Sequence, residues 1–339
     1  MRRVPQRAAI LRRRRTARGS AGDAVAEKFA AWALGISCTP GALFADRAAA
    51  ELSCSGWGTA IGVEREVMRG NRGLPGPSRG APEKPPAEAR ASSYDQFIRS
   101  HNPAMYLGMS SPRTGRETDL SGRGHTGIYH PAGRFPSQSR LPNGDPVAVF
   151  DGATQYLEVP DAGDLSVTSR GELTVEAWIR PDTLQFPSQE RAGYVHFLGK
   201  GVRNQHEYVA RMYSKVNGEN RPNRISGYAF NLTGGLGSGS YFQVPVRVGE
   251  WILVDIVFNT RNTSATYPTG YVKIFRNGEL KDTTGLDQFD VVPRNGTAPF
   301  RVGTRDFASY FQGAIGKVAL YLHELTSQRI MAHHHAMVS

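Results

Sequence analysis

Residues 172–180 read ELTVEAWIR, and apolar side chains occupy every second position of this stretch. A period of two is typical of a β-strand, because successive side chains of an extended chain point to opposite faces. One face carries Leu173, Val175, Ala177 and Ile179, and the other face is of mixed polarity. The stretch therefore predicts a strand with one face in a hydrophobic core.

Other segments with strand character follow this one or precede it, and turn residues separate them. Asn277-Gly278, for example, supplies the positive φ that a tight hairpin turn requires. Helical patterns are confined to Tyr94–Ser100 and Thr326–His335. About a dozen short strands with few helices predict an all-β, two-sheet antiparallel sandwich with a short C-terminal helix. The further strand segments are Val147–Phe150, Gln155–Val159, Tyr194–Gly199, Glu207–Tyr213, Arg224–Asn231, Tyr241–Val244, Trp251–Asn259, Gly270–Arg276, Phe300–Val302 and Phe311–Leu322.

The first 90 residues differ in composition from the remainder. They hold 16 of the 41 Lys and Arg but 8 of the 30 Asp and Glu, so most of the net charge of +11 lies there. Both cysteines, Cys38 and Cys54, lie there too, and the body has no cysteine for a disulfide or a thiolate metal site. This segment reads as a low-complexity basic tail or linker that is disordered, as translation from a misassigned start, or less well as a secretory signal.

Composition also limits the function classes. The chain has 339 residues, of which 39% are hydrophobic and 21% charged, as expected for a globular protein. No apolar run approaches the roughly 20 residues of a membrane-spanning helix. The body is nearly neutral, and a short arginine cluster at one end binds polyanions without sequence preference. We therefore predict no membrane span and no specific nucleic-acid partner, whereas the oligomeric state is not predicted.

Several segments in a fixed order carry a family resemblance. From about residue 93 to 335 they resemble the laminin-G-like domains of the concanavalin A-like lectin/glucanase jelly roll, including bacterial and phage members. The resemblance implies a jelly-roll β-sandwich over residues 91–336, with an extracellular, cell-surface or virion location. The segments are Ser93–Leu107, Asp119–Tyr129, Val149–Gly152, Tyr156–Val159, Leu173–Ile179, Val272–Leu280 and Gly313–Leu325.

The same resemblance raises the question of calcium. Some members hold calcium near acidic residues of the last strand, but here Gly316 and Lys317 stand in place of two acids. A hard cation needs several oxygen ligands, so this change weakens such a site. Asp151 is the remaining candidate calcium ligand, and the alternative is that it is a turn-forming Asp before Gly152.

The resemblance implies a non-catalytic recognition module that binds carbohydrate or a protein surface. A structural or adhesion component of a cell surface or virion is the alternative. Sugars stack on aromatic rings, so aromatic residues on the predicted strands are the candidate ligand contacts, unless they fill the core. These candidates are Tyr208, Tyr213, Tyr228, Tyr241 and Phe242.

A glycoside-active enzyme is disfavoured. Glu172 and Glu176 share a strand face, but they lie about 13 Å apart along it, farther than the carboxyl pairs of glycosidases. His196 and His206 have no acid at useful spacing, and His333–His335 reads as an exposed helix end with adventitious metal affinity at most. We predict no catalytic residue and no certain cofactor.

Overall fold

The computed structural model describes residues 92–339. The predictions for residues 1–90 lie outside the described residues. Two α-helices are present in the described part, α1 (Ser93–Arg99) and α2 (Ser327–Val338). The strands are β1 (Met105–Leu107), β2 (Arg116–Glu117), β3 (Gly127–His130), β4 (Ser137–Arg140), β5 (Pro146–Asp151), β6 (Tyr156–Val159), β7 (Glu172–Pro181), β8 (Tyr194–Val202), β9 (Gln205–Tyr213), β10 (Ile225–Ala229), β11 (Ser238–Tyr241), β12 (Ile252–Asn259), β13 (Tyr271–Arg276), β14 (Glu279–Gly285), β15 (Phe300–Val302) and β16 (Gln312–Tyr321).

The strands form two antiparallel sheets of eight. Sheet A has the order β14-β13-β12-β7-β16-β5-β4, and β1 also pairs with β16. Sheet B has the order β11-β10-β9-β8-β15-β6-β3-β2. Because strands distant in sequence are neighbours, such as β8 beside β15, the sheets are not simple meanders. The predicted two-sheet jelly-roll β-sandwich with a C-terminal helix is confirmed.

The core lies between the two sheets, and the alternation of β7 shows how it is filled. The four apolar residues of one face, Leu173, Val175, Ala177 and Ile179, belong to the core cluster that both sheets share. Sheet B contributes inward side chains such as Phe300 to the same cluster. Burial of such side chains stabilises the fold by about 1.5–3 kcal/mol each.

The outer face of sheet A is covered by both helices. Tyr94 of α1 and Ile330 of α2 pack with Trp178 of β7 in a second buried cluster. The indole N–H of Trp178 donates to the Tyr94 hydroxyl at 3.0 Å. Each helix begins at a side-chain cap, Ser92 for α1 and Thr326 for α2, which satisfies a free backbone N–H of the first turn.

Lys317 fixes α1 to this sheet. An irregularity of β16 between Gly316 and Ala319 accompanies a left-handed φ of 52° at Lys317. Its Nζ lies 2.6 Å from Asp95 of α1 and 2.7 Å from Asp145. The lysine at this position of the last strand thus bridges two carboxylates, so its own buried charge has counter-charges.

Candidate functional site

The outer face of sheet B carries polar and aromatic side chains. The buried apolar residues of both described α-helices pack on sheet A instead. Alternation along β9 sets which residues face outward. Tyr208, Ala210 and Met212 belong to the core, so Arg211 and Tyr213 point to the opposite face.

Strand register aligns outward residues of four neighbouring strands. Tyr241 of β11 lies opposite Ser226 of β10, which lies opposite Arg211 of β9. Arg211 lies opposite His196 of β8. Side chains contributed by strands far apart in sequence therefore form one row across the sheet.

Arg211 lies between two tyrosine rings. Its guanidinium carbon is 3.8 Å from the ring centroid of Tyr194 and 4.2 Å from that of Tyr228. Its Nε donates to Ser226 Oγ at 3.4 Å. Burial disfavours the charge of Arg211, but the adjacent tyrosines and an acid more than offset it and hold the pKa above its ordinary value. The face thus presents a fixed cation between aromatic planes.

A carboxylate completes the arrangement. Glu219 Oε2 lies 2.9 Å from Arg221 Nη1 and accepts a hydrogen bond from the Tyr213 hydroxyl at 3.3 Å. Glu219 Oε1 accepts from the Tyr194 hydroxyl and lies 3.8 Å from Arg211 Nη2. We call the following residues the Arg–Tyr cluster: Tyr194, Arg211, Tyr213, Glu219, Arg221, Tyr228 and Tyr241.

The loop of residues 214–224 supplies Glu219 and Arg221. The Asn217 side-chain oxygen accepts from the backbone N–H of Glu219 at 3.1 Å and of Arg221 at 3.0 Å. Asn220 has a φ of 55°, a conformation that Asn tolerates better than most residues. Local turn chemistry therefore brings two charged side chains onto the sheet.

Arg221 connects the loop to the strands and to the surface. It donates to the hydroxyls of Tyr213 and Tyr228 at 3.1 and 3.2 Å and lies 4.0 Å from the Tyr241 ring centroid. Its side chain is 29% exposed, and Tyr241 is also partly exposed. Ring faces and hydrogen-bond donors are thus adjacent at the surface.

A second aromatic group lies on the strands toward the other edge of sheet B, and we call it the Phe307 platform. Tyr156 stacks on His130 at 4.8 Å and contacts Phe307 edge to face at 5.1 Å. The Arg301 guanidinium lies 4.4 Å from the Phe307 ring. Phe307 is 43% exposed and has a φ of 68°, which is rare for an aromatic residue. The sequence analysis did not single out this group.

His196 lies between the two groups, and the prediction that it has no acidic partner is wrong. Its Nε2 is 3.5 Å from Glu190 and its Nδ1 is 3.3 Å from Asp306. Burial and Arg305 lower the pKa of His196. These three side chains could be considered as metal ligands, but the acids lie at opposite ring nitrogens and Arg305 donates to Asp306. The geometry fits a hydrogen-bonded clamp better than a metal site.

The predicted ligand contacts separate by face. Tyr213, Tyr228 and Tyr241 meet in the Arg–Tyr cluster, and their contact with a ligand stays a prediction. Tyr208 and Phe242 face the core instead and are fully buried. Side chains alternate between the two faces of a strand, and Tyr208 is an odd number of residues from Tyr213, as Phe242 is from Tyr241. A ligand on the sheet surface cannot contact these two rings.

Asp151, the candidate calcium ligand, caps its own turn. Its Oδ1 accepts from the backbone N–H groups of Ala153, Thr154 and Gln155, and its Oδ2 accepts from the Thr154 hydroxyl. Although partial burial works against it, these bonds lower the pKa of Asp151. Both oxygens serve the turn, and Gln312 stands opposite on β16. This donor set does not fit calcium, and we derive no role for the ion.

One pair of facing carboxyl groups, on sheet A, is closed to substrate. Glu176 faces Asp255 across β7 and β12, and both are fully buried. His333 of α2 is also fully buried, with Nδ1 2.5 Å from Glu176 and Nε2 2.8 Å from His101. The prediction of an exposed helix end is therefore wrong for His333, because α2 docks this side on sheet A. Burial raises the pKa of Glu176 to about 8 and lowers that of His333 to about 4.

Comparison with known families agrees with this geometry. The family model described as the concanavalin A-like lectin/glucanases superfamily, a laminin-G family, matches residues 151–331, more than half of the chain. The chain belongs to this superfamily. Comparison with curated proteins gives no match. None of the helices among residues 92–339 has the length and apolar character needed to span a membrane.

Solved structures share the fold at low sequence identity. The binding domain of botulinum neurotoxin DC, solved with rat synaptotagmin II, superposes with a TM-score of 0.51 at 14% identity, covering 70% of this chain and 52% of that one. Domain 4 of a Geobacillus stearothermophilus arabinanase, solved with arabinotriose, superposes with a TM-score of 0.46 at 17% sequence identity, covering 68% of this chain and 98% of that one. The botulinum neurotoxin type G receptor binding domain superposes with a TM-score of 0.47 at 12% sequence identity, covering 69% of this chain and 51% of that one. The match thus spans about half the length of the toxin domains.

Proposed function

We propose that the protein is a non-catalytic recognition module that binds a carbohydrate on the outer face of sheet B. The observation that carries this proposal is the Arg–Tyr cluster, where Tyr241 and Arg221 are partly exposed beside buried tyrosine hydroxyls. A sugar offers apolar ring faces that stack on aromatic rings and hydroxyls that pair with fixed polar groups. The cluster provides both within one surface.

Superfamily membership supports a binding role for this fold, although a fold hosts several functions. The Phe307 platform adds aromatic surface on the same side of sheet B, where Phe307 and Tyr156 meet edge to face. A strained, exposed aromatic residue is more common at functional positions than elsewhere. We infer that an extended saccharide would cover both groups.

The proposal is non-enzymatic because of where the carboxyl pair lies. Glu176 and Asp255 are fully buried under helix α2, so no saccharide reaches them without its displacement. In the Arg–Tyr cluster the single carboxylate, Glu219, is held by Arg221 and two tyrosine hydroxyls. A glycosidase needs a second carboxyl group there.

The test is a glycan array probed with the full chain, with calcium and again with a chelator. We expect binding that is indifferent to the chelator. For each sugar bound, Tyr241→Ala should weaken binding about fivefold, as loss of one aromatic contact worth about 1 kcal/mol. Tyr267→Ala is the matched control, since Tyr267 is partly exposed and packs on Tyr271 of sheet A.

Binding lost in chelator, or weakened equally by both tyrosine variants, would overturn the proposed site. Absence of binding to every glycan would overturn the carbohydrate ligand and favour a protein surface as partner.

A further inference from the structure

Glu219 occupies the Arg–Tyr cluster as a ligand would. Both oxygens of its carboxylate are engaged, Oε2 by Arg221 at 2.9 Å and the Tyr213 hydroxyl at 3.3 Å, and Oε1 by the Tyr194 hydroxyl. Arg211 Nη2 lies 3.8 Å from Oε1. The outer face of sheet B therefore contains a formed carboxylate-binding site, filled by a side chain of the same protein.

Three of the residues that surround this carboxylate are also held by contacts of their own. Arg211 and Tyr213 belong to β9 and are 7% and 0% exposed. Arg221, although in the loop, is held by two tyrosine hydroxyls and the Tyr241 ring. Glu219 is in the exposed loop, with its neighbours Gly218 and Asn220 exposed. Rotation of the Glu219 side chain to another rotamer, without movement of β9, is the change that vacating the site requires.

The charge balance favours an anion at this position. Arg211 and Arg221 face one carboxylate, and Arg224 adds a guanidinium 5.8 Å from the Tyr241 ring centroid. If Glu219 turned outward with nothing in its place, Arg211 would remain nearly buried without a counter-charge, which is unfavourable. An incoming anionic group removes that cost, whereas a neutral group does not.

We propose that Glu219 holds, in the free protein, the position that a negatively charged group of the ligand takes in the complex. This inference rests on the proposed function and makes it specific. The ligand is an acidic saccharide, one that bears a carboxylate or a sulfate. Its anionic group displaces Glu219 between Arg211 and Arg221, and its ring stacks on Tyr241.

The experiment titrates the full chain with an oligogalacturonate and with the fully methyl-esterified form of the same oligosaccharide. The two probes share the same sugar chain and differ at the carboxyl groups, which are charged in the first and neutral methyl esters in the second. A sulfated oligosaccharide and its desulfated form test in the same way whether a sulfate is the anionic group. Each probe is titrated into wild-type protein, Glu219→Gln and a control variant.

The control variant is Glu250→Gln. Glu250 also pairs with an arginine, with Oε1 2.5 Å from Arg276 Nη2, and its side chain is 28% exposed against 20% for Glu219. Both substitutions raise the net charge by one. Any general electrostatic gain toward an acidic saccharide appears in both variants, and a specific gain appears only in Glu219→Gln.

We expect the wild type to bind a charged probe and not its neutral form. If Glu219 leaves the site less than about one tenth of the time, Glu219→Gln should bind the charged probe at least about tenfold more tightly. Glu250→Gln should bind as the wild type does. The melting temperature of free Glu219→Gln should fall, since Arg211 loses its carboxylate, and the charged probe should restore it.

Unchanged or weaker binding by Glu219→Gln would show that Glu219 is a structural member of the site and would overturn the inference. Equal binding of charged and neutral probes would also overturn it and leave the carbohydrate function standing. Binding of polyglutamate in place of every saccharide would overturn the saccharide ligand. If the acidic saccharides, polyglutamate and neutral glycans all fail to bind, both proposals are overturned.

Discussion

The outer faces of the two sheets bury polar groups in different ways. Sheet A places Glu176 and Asp255 beneath α2, where His333 meets Glu176 and solvent does not reach. Sheet B has charged residues too, but tyrosine rings and a loop surround them and leave Arg221 and Tyr241 partly exposed. A helix cover closes a face for stability, whereas a partial cover of rings leaves hydrogen-bond donors that a ligand can use.

The largest expected effect tests the closed face. Trp178→Ala should lower the free energy of unfolding by about 3–5 kcal/mol, as for other buried tryptophans. Trp178 is 1% exposed, packs under both helices and donates to Tyr94. Tyr241→Ala, on the open face, should cost about 1 kcal/mol or less. Urea denaturation of both variants measures the contrast, and similar losses would remove it.

The pH dependence of stability tests the buried acid. The pKa of Glu176 is raised to about 8 by burial, so the folded protein keeps a proton that the unfolded chain releases above about pH 4.5. The contribution of protonated Glu176 to the free energy of unfolding is fully present below that pH. It is lost as the pH rises toward 8, by up to about 1.4 kcal/mol per pH unit. Burial also raises the pKa of Asp255, and His333 acts in the opposite direction below pH 6.5.

Glu176→Gln keeps the shape and removes this titration. Its unfolding free energy, measured in denaturant from pH 5 to 8.5, should fall less steeply than that of the wild type. Parallel profiles for the two proteins would show that Glu176 does not titrate as a buried acid.

Arg221→Ala should separate binding from stability on the open face. Loss of a partly exposed ion pair should cost no more than about 1 kcal/mol of stability. Binding of a saccharide should weaken about tenfold, since Arg221 supplies donors and stacks on Tyr241. Isothermal titration calorimetry measures the affinity, and differential scanning calorimetry measures the stability. A large loss of stability with intact binding would show that Arg221 stabilises the fold and does not contact the ligand.

A further prediction concerns the exposed turn at Asp151. Asp151→Ala removes the hydrogen bonds to the backbone of residues 153–155 and should cost about 1 kcal/mol. Calcium should leave the melting temperature of the wild type within about 1 °C, because the carboxylate already serves its turn. A calcium-dependent increase that Asp151→Ala abolishes would restore the metal site.

Sequence patterns predicted β7 and the other long strands because burial of one strand face leaves a period of two, whereas β1–β4 and β14 were not among the predicted segments. They also contained a signal for which tyrosines point to the outer face of sheet B. Along β9, alternation alone separates inward Tyr208 from outward Tyr213, and the same rule separates Phe242 from Tyr241 at the end of β11.

Other features arise from tertiary contacts that no local pattern encodes. His333 is buried because α2 docks on sheet A, and its partner Glu176 lies 157 residues earlier in the chain. Asp306, which clamps His196 of β8, lies 110 residues away in the loop that follows β15. The spacing of histidines and acids along the sequence gave no indication of either contact.

Hydrogen exchange of the full chain, measured with and without a saturating acidic oligosaccharide, tests most directly whether the outer face of sheet B is the binding face. We expect slower exchange in strands β8–β11 and in residues 214–224, with sheet A and both helices unchanged. Protection confined to α1, α2 and sheet A, or no protection at all, would contradict that assignment.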